Sequence, residues 1–259
     1  MVPLCNDYLF WKDDHTQLYL GDCLQVLDNL PEKSIDMIFA DPPYFLSNGG
    51  ITCQGGQMVS VNKGDWDKGE SLAQKYEFNR MWISACCRVL KDNGTIWISG
   101  TFHNIYTVGV ALEDCHFKIL NNITWQKTNP PPNLGCRCFT HSTETILWAK
   151  KDLRRSKHYY NYELMKELNG NKQMKDVWSG PLVKASEKKF GKHPTQKPLY
   201  LLERIILASS RPGDLILDPF CGSGTTGVAA INNERDFIGI ETSPEYIELA
   251  KRRIISSDK

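Results

Sequence analysis

The sequence predicts an α/β domain built on a mainly parallel sheet. Three observations carry this. Short, nearly continuous apolar runs (IDMIFA at 35–40, DLILD at 214–218, FIGIE at 237–241) have strand length and suit strands buried on both faces. Segments with helical spacing alternate with them almost throughout, which calls for a sheet covered by helices on both sides. The first two runs end at abrupt turn-forming stretches, Asp41-Pro42-Pro43-Tyr44 and a glycine-rich loop over 218–227.

Each element follows in order. Gln17–Gly21 is strand-like and ends at Gly21-Asp22, and Cys23–Leu30 has helical spacing and is stopped by Pro31. Ile35–Ala40 is a strand. Ser47–Lys68 is rich in Gly, Ser and Asn without a period and reads as a long loop, a feature that is usually functional or disordered. Tyr76–Leu90 is an amphipathic helix with Asn93-Gly94 as its stop. Thr95–Ser99 is a strand and Asn104–Cys115 a helix. Ile119–Gln126 and Thr143–Lys150 are strands with partial alternation, separated by a loop that holds three prolines between Asn129 and Asn133. Lys151–Lys192 is polar, basic and irregular. Leu199–Ser209, Thr225–Asn232 and Pro244–Ile254 are helices, the last with proline at its start. There is no internal repeat and no clean linker, so residues 1–259 read as one domain.

Composition narrows the class. The chain has 259 residues, 41% hydrophobic and 24% charged, ordinary for a globular protein with a sizeable core. Net charge is +1, but between 150 and 192 there are 12 Lys+Arg against 5 Asp+Glu, a block suited to phosphate contacts or to a solvated surface. Nine irregularly spaced cysteines are not a disulfide framework, and free thiols point to a reducing cytoplasm. Met1–Trp11 lacks the pattern of a signal peptide, and no run approaches the length of a membrane span.

The glycine loop Asp218-Pro219-Phe220-Cys221-Gly222-Ser223-Gly224-Thr225-Thr226-Gly227 lies between a strand and a helix and contains G-x-G-x-x-G. Glycines there allow a tight turn and a close backbone approach to a ligand. Glu241 ends the next strand, where a carboxylate can accept from both ribose hydroxyls of a nucleoside cofactor. A nicotinamide or flavin dinucleotide is the rival occupant. Against it, Asp218, Phe220 and Thr225 would crowd a pyrophosphate, and an acid at the strand tip suits the amino group of a methionine moiety.

Asp41-Pro42-Pro43-Tyr44 directly follows a buried strand, so it should lie at the carboxyl edge of the sheet, where ligands of open α/β sheets bind. The prolines stiffen the turn and remove two N–H groups. The Asp41 carboxylate and Pro42 carbonyl can then accept both N–H bonds of an exocyclic amino group whose lone pair is delocalised into an aromatic ring. Methylation from an activated sulfonium needs mainly alignment and charge placement. Tyr44 would stack on a base rotated out of a duplex.

DPPY at 41–44, KHPTQKP at 192–198 and DPFCGSGTT at 218–226 resemble the motifs of the β-class amino-methyltransferases of DNA, and the resemblance spans nearly the whole chain. FADPPYFLSNGG, NITWQKTNP, HSTETILWA and HYYNYELMKELN are further similar to the second methyltransferases of GATC-specific restriction–modification systems. The resemblance implies a Rossmann-like, S-adenosylmethionine-dependent fold with a seven-stranded, mostly parallel sheet and a permuted motif order, the catalytic motif preceding the cofactor loop. It implies N6-methylation of adenine within GATC on duplex and single-stranded DNA, and a homodimer. By position it implies that Asp41, Pro42, Pro43 and Tyr44 form the catalytic pocket. Phe220, Gly222, Gly224 and Thr225 would wrap the cofactor, with Asp218 near its amino group and Glu241 on its ribose. Asp22 would take the cofactor's adenine, with the Cys23 N–H nearby. His193, Pro194, Thr195, Gln196 and Lys197 would close over the methionine end, Lys197 on its carboxylate. Cys221 departs from the small or apolar residue expected there.

Other constellations are weaker. Cys136, Cys138 and His141 offer only three local ligands where structural zinc needs four. No Pro-Cys dipeptide occurs, which argues against cytosine C5 chemistry, whereas N4-methylation of cytosine shares the pocket logic. Residues 129–192 are the candidate target-recognition region, with Arg137, Arg154 and Arg155 as DNA contacts. Arg137 suits either guanine readout or a phosphate. Tyr159, Tyr160 and Tyr162 among cations suit base stacking or local packing. The 47–68 loop, with Trp66 as an anchor, is a lid over an extruded base or an inert surface loop.

Overall fold

The computed structural model describes residues 6–44, 51–54, 57–60, 71–154 and 156–257. In chain order the strands are β1 (Leu9–Lys12), β2 (Thr16–Leu20), β3 (Ile35–Ala40), β4 (Ile51–Gln54), β5 (Gln57–Ser60), β6 (Leu90–Gly100), β7 (Phe117–Lys127), β8 (Thr143–Lys151), β9 (Val177–Gly180), β10 (Leu215–Asp218) and β11 (Asp236–Glu241). The helices are α1 (Cys23–Asn29), α2 (Leu72–Val89), α3 (Ile105–Asp114), α4 (Tyr162–Leu168), α5 (Leu199–Ser209), α6 (Thr225–Asn232) and α7 (Pro244–Ile255).

One sheet of nine strands runs in the order β1-β2-β11-β10-β3-β6-β8-β7-β9. From β2 to β6 every pairing is parallel. β8 reverses direction between β6 and β7, β9 then pairs parallel with β7, and β1 is antiparallel on the other edge. The fold is the expected one, but the sheet has nine strands rather than seven. The strands missing from the sequence reading include β1 and β9, each four residues long and alternately exposed, so neither forms a continuous apolar run. β4 and β5 pair with each other inside the stretch expected to be loop.

The central strands are apolar on both faces because two cores sandwich the sheet. Ile38, Ala40, Ile96, Ile98, Leu217 and Ile238 face α1, α2 and α3. Met37, Phe39, Trp97, Ile216 and Phe237 face the side packed by α5, α6 and α7. Two boundaries differ from expectation. α2 begins earlier, where Ser71 and Gln74 form a reciprocal capping box. β6 also begins earlier, at Leu90 directly after α2 rather than at Thr95. Gly94 instead lies within β6, where a Cβ would sit 2.7 Å from the Asp36 carbonyl oxygen of β3.

Candidate active site

Strand direction assembles the site. β2, β11, β10 and β3 are parallel neighbours, so the segments that leave their C-terminal ends share one edge. These segments are Gly21-Asp22, Glu241, Asp218–Thr226 and Asp41–Tyr44. β3 and β10 pair directly, Met37 with Ile216 and Ile38 with Leu217, so the DPPY turn and the glycine loop emerge side by side. Both line a single cavity of about 290 Å³.

That cavity contains most of the candidate residues: Asp22 and Cys23; Asp41 to Tyr44; His193, Thr195, Gln196 and Lys197; Asp218, Phe220, Gly222, Thr225 and Glu241. Pro194 and Gly224 do not line it. Pro194 is exposed. Gly224 is at φ 74°, and a Cβ there would lie 2.8 Å from the Ala250 Cβ, so it serves the packing of α6 on α7. Gly222, at φ 51°, does face the cavity, where a Cβ would come within 3.2 Å of the His193 ring.

Backbone amides fix the acids. Asp22 caps α1, its carboxylate accepting from Leu24 N–H (2.9 Å) and Gln25 N–H (3.4 Å). Glu241 accepts from Gly222 N–H and Ser243 N–H, both at 2.8 Å, and burial raises its pKa against those bonds. Asp218 accepts from Phe220 N–H (3.0 Å) and the Thr226 hydroxyl (2.5 Å). Burial pushes its carboxyl up to about 7, with Thr226 and the Phe220 amide pulling the other way. From behind, buried Arg253 of α7 donates to the Ser223 carbonyl (2.6 Å) and hydroxyl (2.8 Å) and to the Thr225 hydroxyl (2.9 Å). Cys221 is 5% exposed and burial raises its thiol pKa far above the ordinary value, so it behaves as an apolar filler.

At the DPPY end, Asp41 is held by two donors. The Tyr44 hydroxyl donates to Oδ1 (2.5 Å) and Lys197 Nζ donates to Oδ2 (2.5 Å). Lys197 therefore pairs with Asp41, not with a free position over the methionine end. Burial alone would lower the Lys197 pKa, but Asp41 and Glu144 together outweigh it and the pKa is raised. Tyr44 is buried, which raises its pKa, reinforced by the same two carboxylates. Asn104 Nδ2 donates to the Pro43 carbonyl at 3.3 Å, tying the tetrapeptide to the start of α3.

Several cavity residues escaped sequence reasoning. Phe78 of α2 lines it beside Phe220, whose ring meets Trp82 edge-on with centroids 5.2 Å apart. Tyr246 of α7 packs edge-on against His193 at 4.3 Å. Both sit on helices outside the motifs, Tyr246 only five residues after Glu241, and only periodicity marked them. Glu144 gave no signal beyond a charged residue at a strand start.

The recognition candidates divide between the two edges of the sheet. β7 is aligned with β6, so the 128–142 loop and its exposed Arg137 leave from the edge that holds the cavity. Arg154 follows the C-terminal end of reversed β8, beside the start of β7, and therefore lies at the opposite edge. Arg155, Trp66 and most of the expected lid lie outside the described residues. Of the tyrosines, Tyr159 lies under Arg211 at 3.9 Å, while Tyr160, with its ring centroid 5.5 Å from that of Trp148, and Tyr162 are exposed. His141 stacks on Phe102 at 4.8 Å, and Cys136 and Cys138 are exposed.

The donor set fits S-adenosylmethionine. Four acids line the cavity, suiting a ligand with cationic groups and hydroxyls, and Phe78 and Phe220 offer ring faces. The Oε1 of Gln196 is buried with no hydrogen-bond partner among the described residues, an acceptor that a ligand donor would satisfy.

Comparison with known proteins agrees. Residues 35–252 match the family model N6_N4_Mtase, described as DNA methylase. Type II methyltransferase M2.DpnII of Streptococcus pneumoniae is 66% identical over 245 residues, covering 95% of this chain and 91% of that protein. Type II methyltransferase M2.LlaDCHI of Lactococcus lactis subsp. cremoris is 63% identical with the same coverage. The crystal structure of the M1.HpyAVI–SAM complex is 30% identical, superimposes with a TM-score of 0.68, and covers 92% of this chain and 98% of that one.

Proposed function

The chain belongs to the N6_N4_Mtase family of DNA methylases, and from this premise we propose that it methylates the N6 amino group of adenine within GATC. The dinucleotide reading of the glycine loop falls with that membership. The methyl donor is S-adenosylmethionine, as for the family. We further assign it both duplex and single-stranded DNA as substrates, a cytoplasmic setting and a restriction–modification partner nuclease. One observation carries the site assignment: the DPPY turn and the glycine loop leave adjacent parallel strands and open into one cavity.

The acids divide the work. Glu241, fixed by two amides, accepts from the ribose hydroxyls. Asp22 accepts from the cofactor's adenine, and Asp218 faces its ammonium. The bound cofactor supplies a methyl group on a sulfonium, which leaves as a neutral thioether. Asp41 and the Pro42 carbonyl accept from the two N–H bonds of the target amine and aim its lone pair at that carbon. The methylated amine would be acidic, and its proton would pass to Asp41 or water. No covalent enzyme intermediate is needed. Arg137 and the 128–142 loop contact the DNA on the cavity edge.

The experiment is methyl transfer from labelled cofactor to a GATC oligonucleotide and to a GATC-free control, followed by nucleoside analysis. N6-methyladenine in the first alone supports the reading. N4-methylcytosine, or equal labelling of both, refutes it.

A further inference from the structure

The mechanism leaves a conflict at Asp41. Its two oxygens already accept from Tyr44 and Lys197, so an arriving amino group competes with both donors for the carboxylate's lone pairs. A displaced Lys197 cannot turn to solvent. Its side chain is 6% exposed, and those of Glu144, Asp41 and Lys127 are 11%, 12% and 13% exposed. A buried ammonium without a partner is strongly unfavourable.

Glu144, at the start of β8, offers the alternative. Its Oε2 lies 3.6 Å from Lys197 Nζ and 3.5 Å from the Tyr44 hydroxyl. Its Oε1 is pinned by Lys127 Nζ at 2.6 Å, which keeps Oε2 turned toward the site. The Ser99 hydroxyl, 3.2 Å from that of Tyr44, completes the cluster. Closing the gap from Glu144 to a charge-assisted bond of about 2.8 Å moves Nζ by less than ~1 Å. Two carboxylates and two ammonium groups keep the cluster neutral in either arrangement.

We propose that Glu144 is a positioning residue that receives the Lys197 ammonium when a target amino group replaces it on Asp41. This rests on Asp41 as the acceptor for that amino group. Lys197 caps Asp41 in the structure, and substrate entry hands the cation to Glu144. Glu144 acts through Lys197 and does not touch the reacting atoms.

The test is single-turnover methyl transfer to a GATC oligonucleotide by the full chain carrying Glu144→Gln, Glu144→Asp or Lys127→Met. Binding of S-adenosylhomocysteine and melting temperature are measured alongside. Glu144→Gln keeps the shape but loses the anion, and its rate at saturating DNA should fall by about tenfold or more, with S-adenosylhomocysteine affinity unchanged. Glu144→Asp should recover part of the rate. Lys127→Met removes the ammonium that keeps Oε2 turned toward Lys197, so its rate should also fall, with S-adenosylhomocysteine affinity unchanged. It also keeps the inference falsifiable if Glu144→Gln does not fold. A wild-type rate in Glu144→Gln or in Lys127→Met, or a joint loss of rate and S-adenosylhomocysteine binding, overturns the inference. Absence of transfer by the wild-type chain would instead refute the proposed function.

Discussion

Asp218→Asn should stabilise the cofactor-free protein at alkaline pH and weaken its cofactor binding. The Asp218 carboxyl is 2% exposed, and burial raises its pKa from 3.8 to about 7. For an acid, a raised pKa means that the folded state keeps its proton longer than the unfolded chain does. The destabilisation is absent below the unfolded value, grows as pH rises from about 4 to about 7, and is constant above. At 1.36 kcal/mol per unit, it is roughly 1.6 kcal/mol at pH 5 and about 4 kcal/mol at pH 8. Asparagine keeps the shape and an acceptor for the Phe220 amide but does not titrate. The stability gap between variant and wild type should therefore widen by about 2–3 kcal/mol from pH 5 to pH 8. Thermal melts should show this as roughly 5–10 °C. S-adenosylhomocysteine should reverse the order, because its ammonium gains a charge-assisted bond only in the wild type, worth about 1.5–3 kcal/mol. Melts at both pH values, with and without that ligand, decide it. A gap that does not change with pH, or equal ligand affinity in the two proteins, would refute the reasoning.

Asp41→Ala should abolish methyl transfer while S-adenosylhomocysteine still binds, as titration calorimetry beside the transfer assay would show; near-normal turnover would remove Asp41 from the mechanism. Arg253→Met strips three hydrogen bonds from Ser223 and Thr225 and should destabilise the fold by about 2–4 kcal/mol in urea melts, with cofactor affinity falling too. Arg137→Ala should weaken DNA binding and flatten the slope of log K against log salt by about 1, whereas Arg154→Ala should change neither. Fluorescence anisotropy over a salt series measures both, and equal effects would contradict the division of the edges.

Legibility followed burial. β3, α5 and α6 lie where their apolar runs or helical spacing put them, because each is packed along its whole length. β1, α4 and β9 were missed because each is short and half-exposed, anchored by single residues such as Met165 and Trp178. The early start of α2 was written in Ser71 and Gln74, a local signal that the search for apolar periodicity passed over. In the site, acids at strand ends were legible because a turn motif after a buried strand fixes their position. Phe78 and Tyr246 were not, since each reaches the cavity from a helix with no motif of its own, and Glu144 meets the site through Lys197 and Tyr44 without lining the cavity.

The divided basic block shows how far chain direction outranks composition. Its lysines and arginines form one run in sequence, yet they straddle a reversal. β8 runs against β6, so the residues after Lys151 emerge beside the start of β7, at the edge where Lys33 and Lys151 meet Asp92. There Tyr159 and Tyr160 pack beneath Arg211 and against Trp148. The chain returns to the other edge only through β9, parallel to β7, whose Gly180 pairs with Lys127. The segment beyond it carries Lys184, Lys188, Lys189 and Lys192 and then delivers His193–Lys197 to the cavity. On the proposed reading, a polyanion docked over the cavity would meet the first and last parts of the 129–192 region and not its middle. The four residues of β9, illegible as a strand in the sequence, thus divide one basic run between the two edges of the sheet.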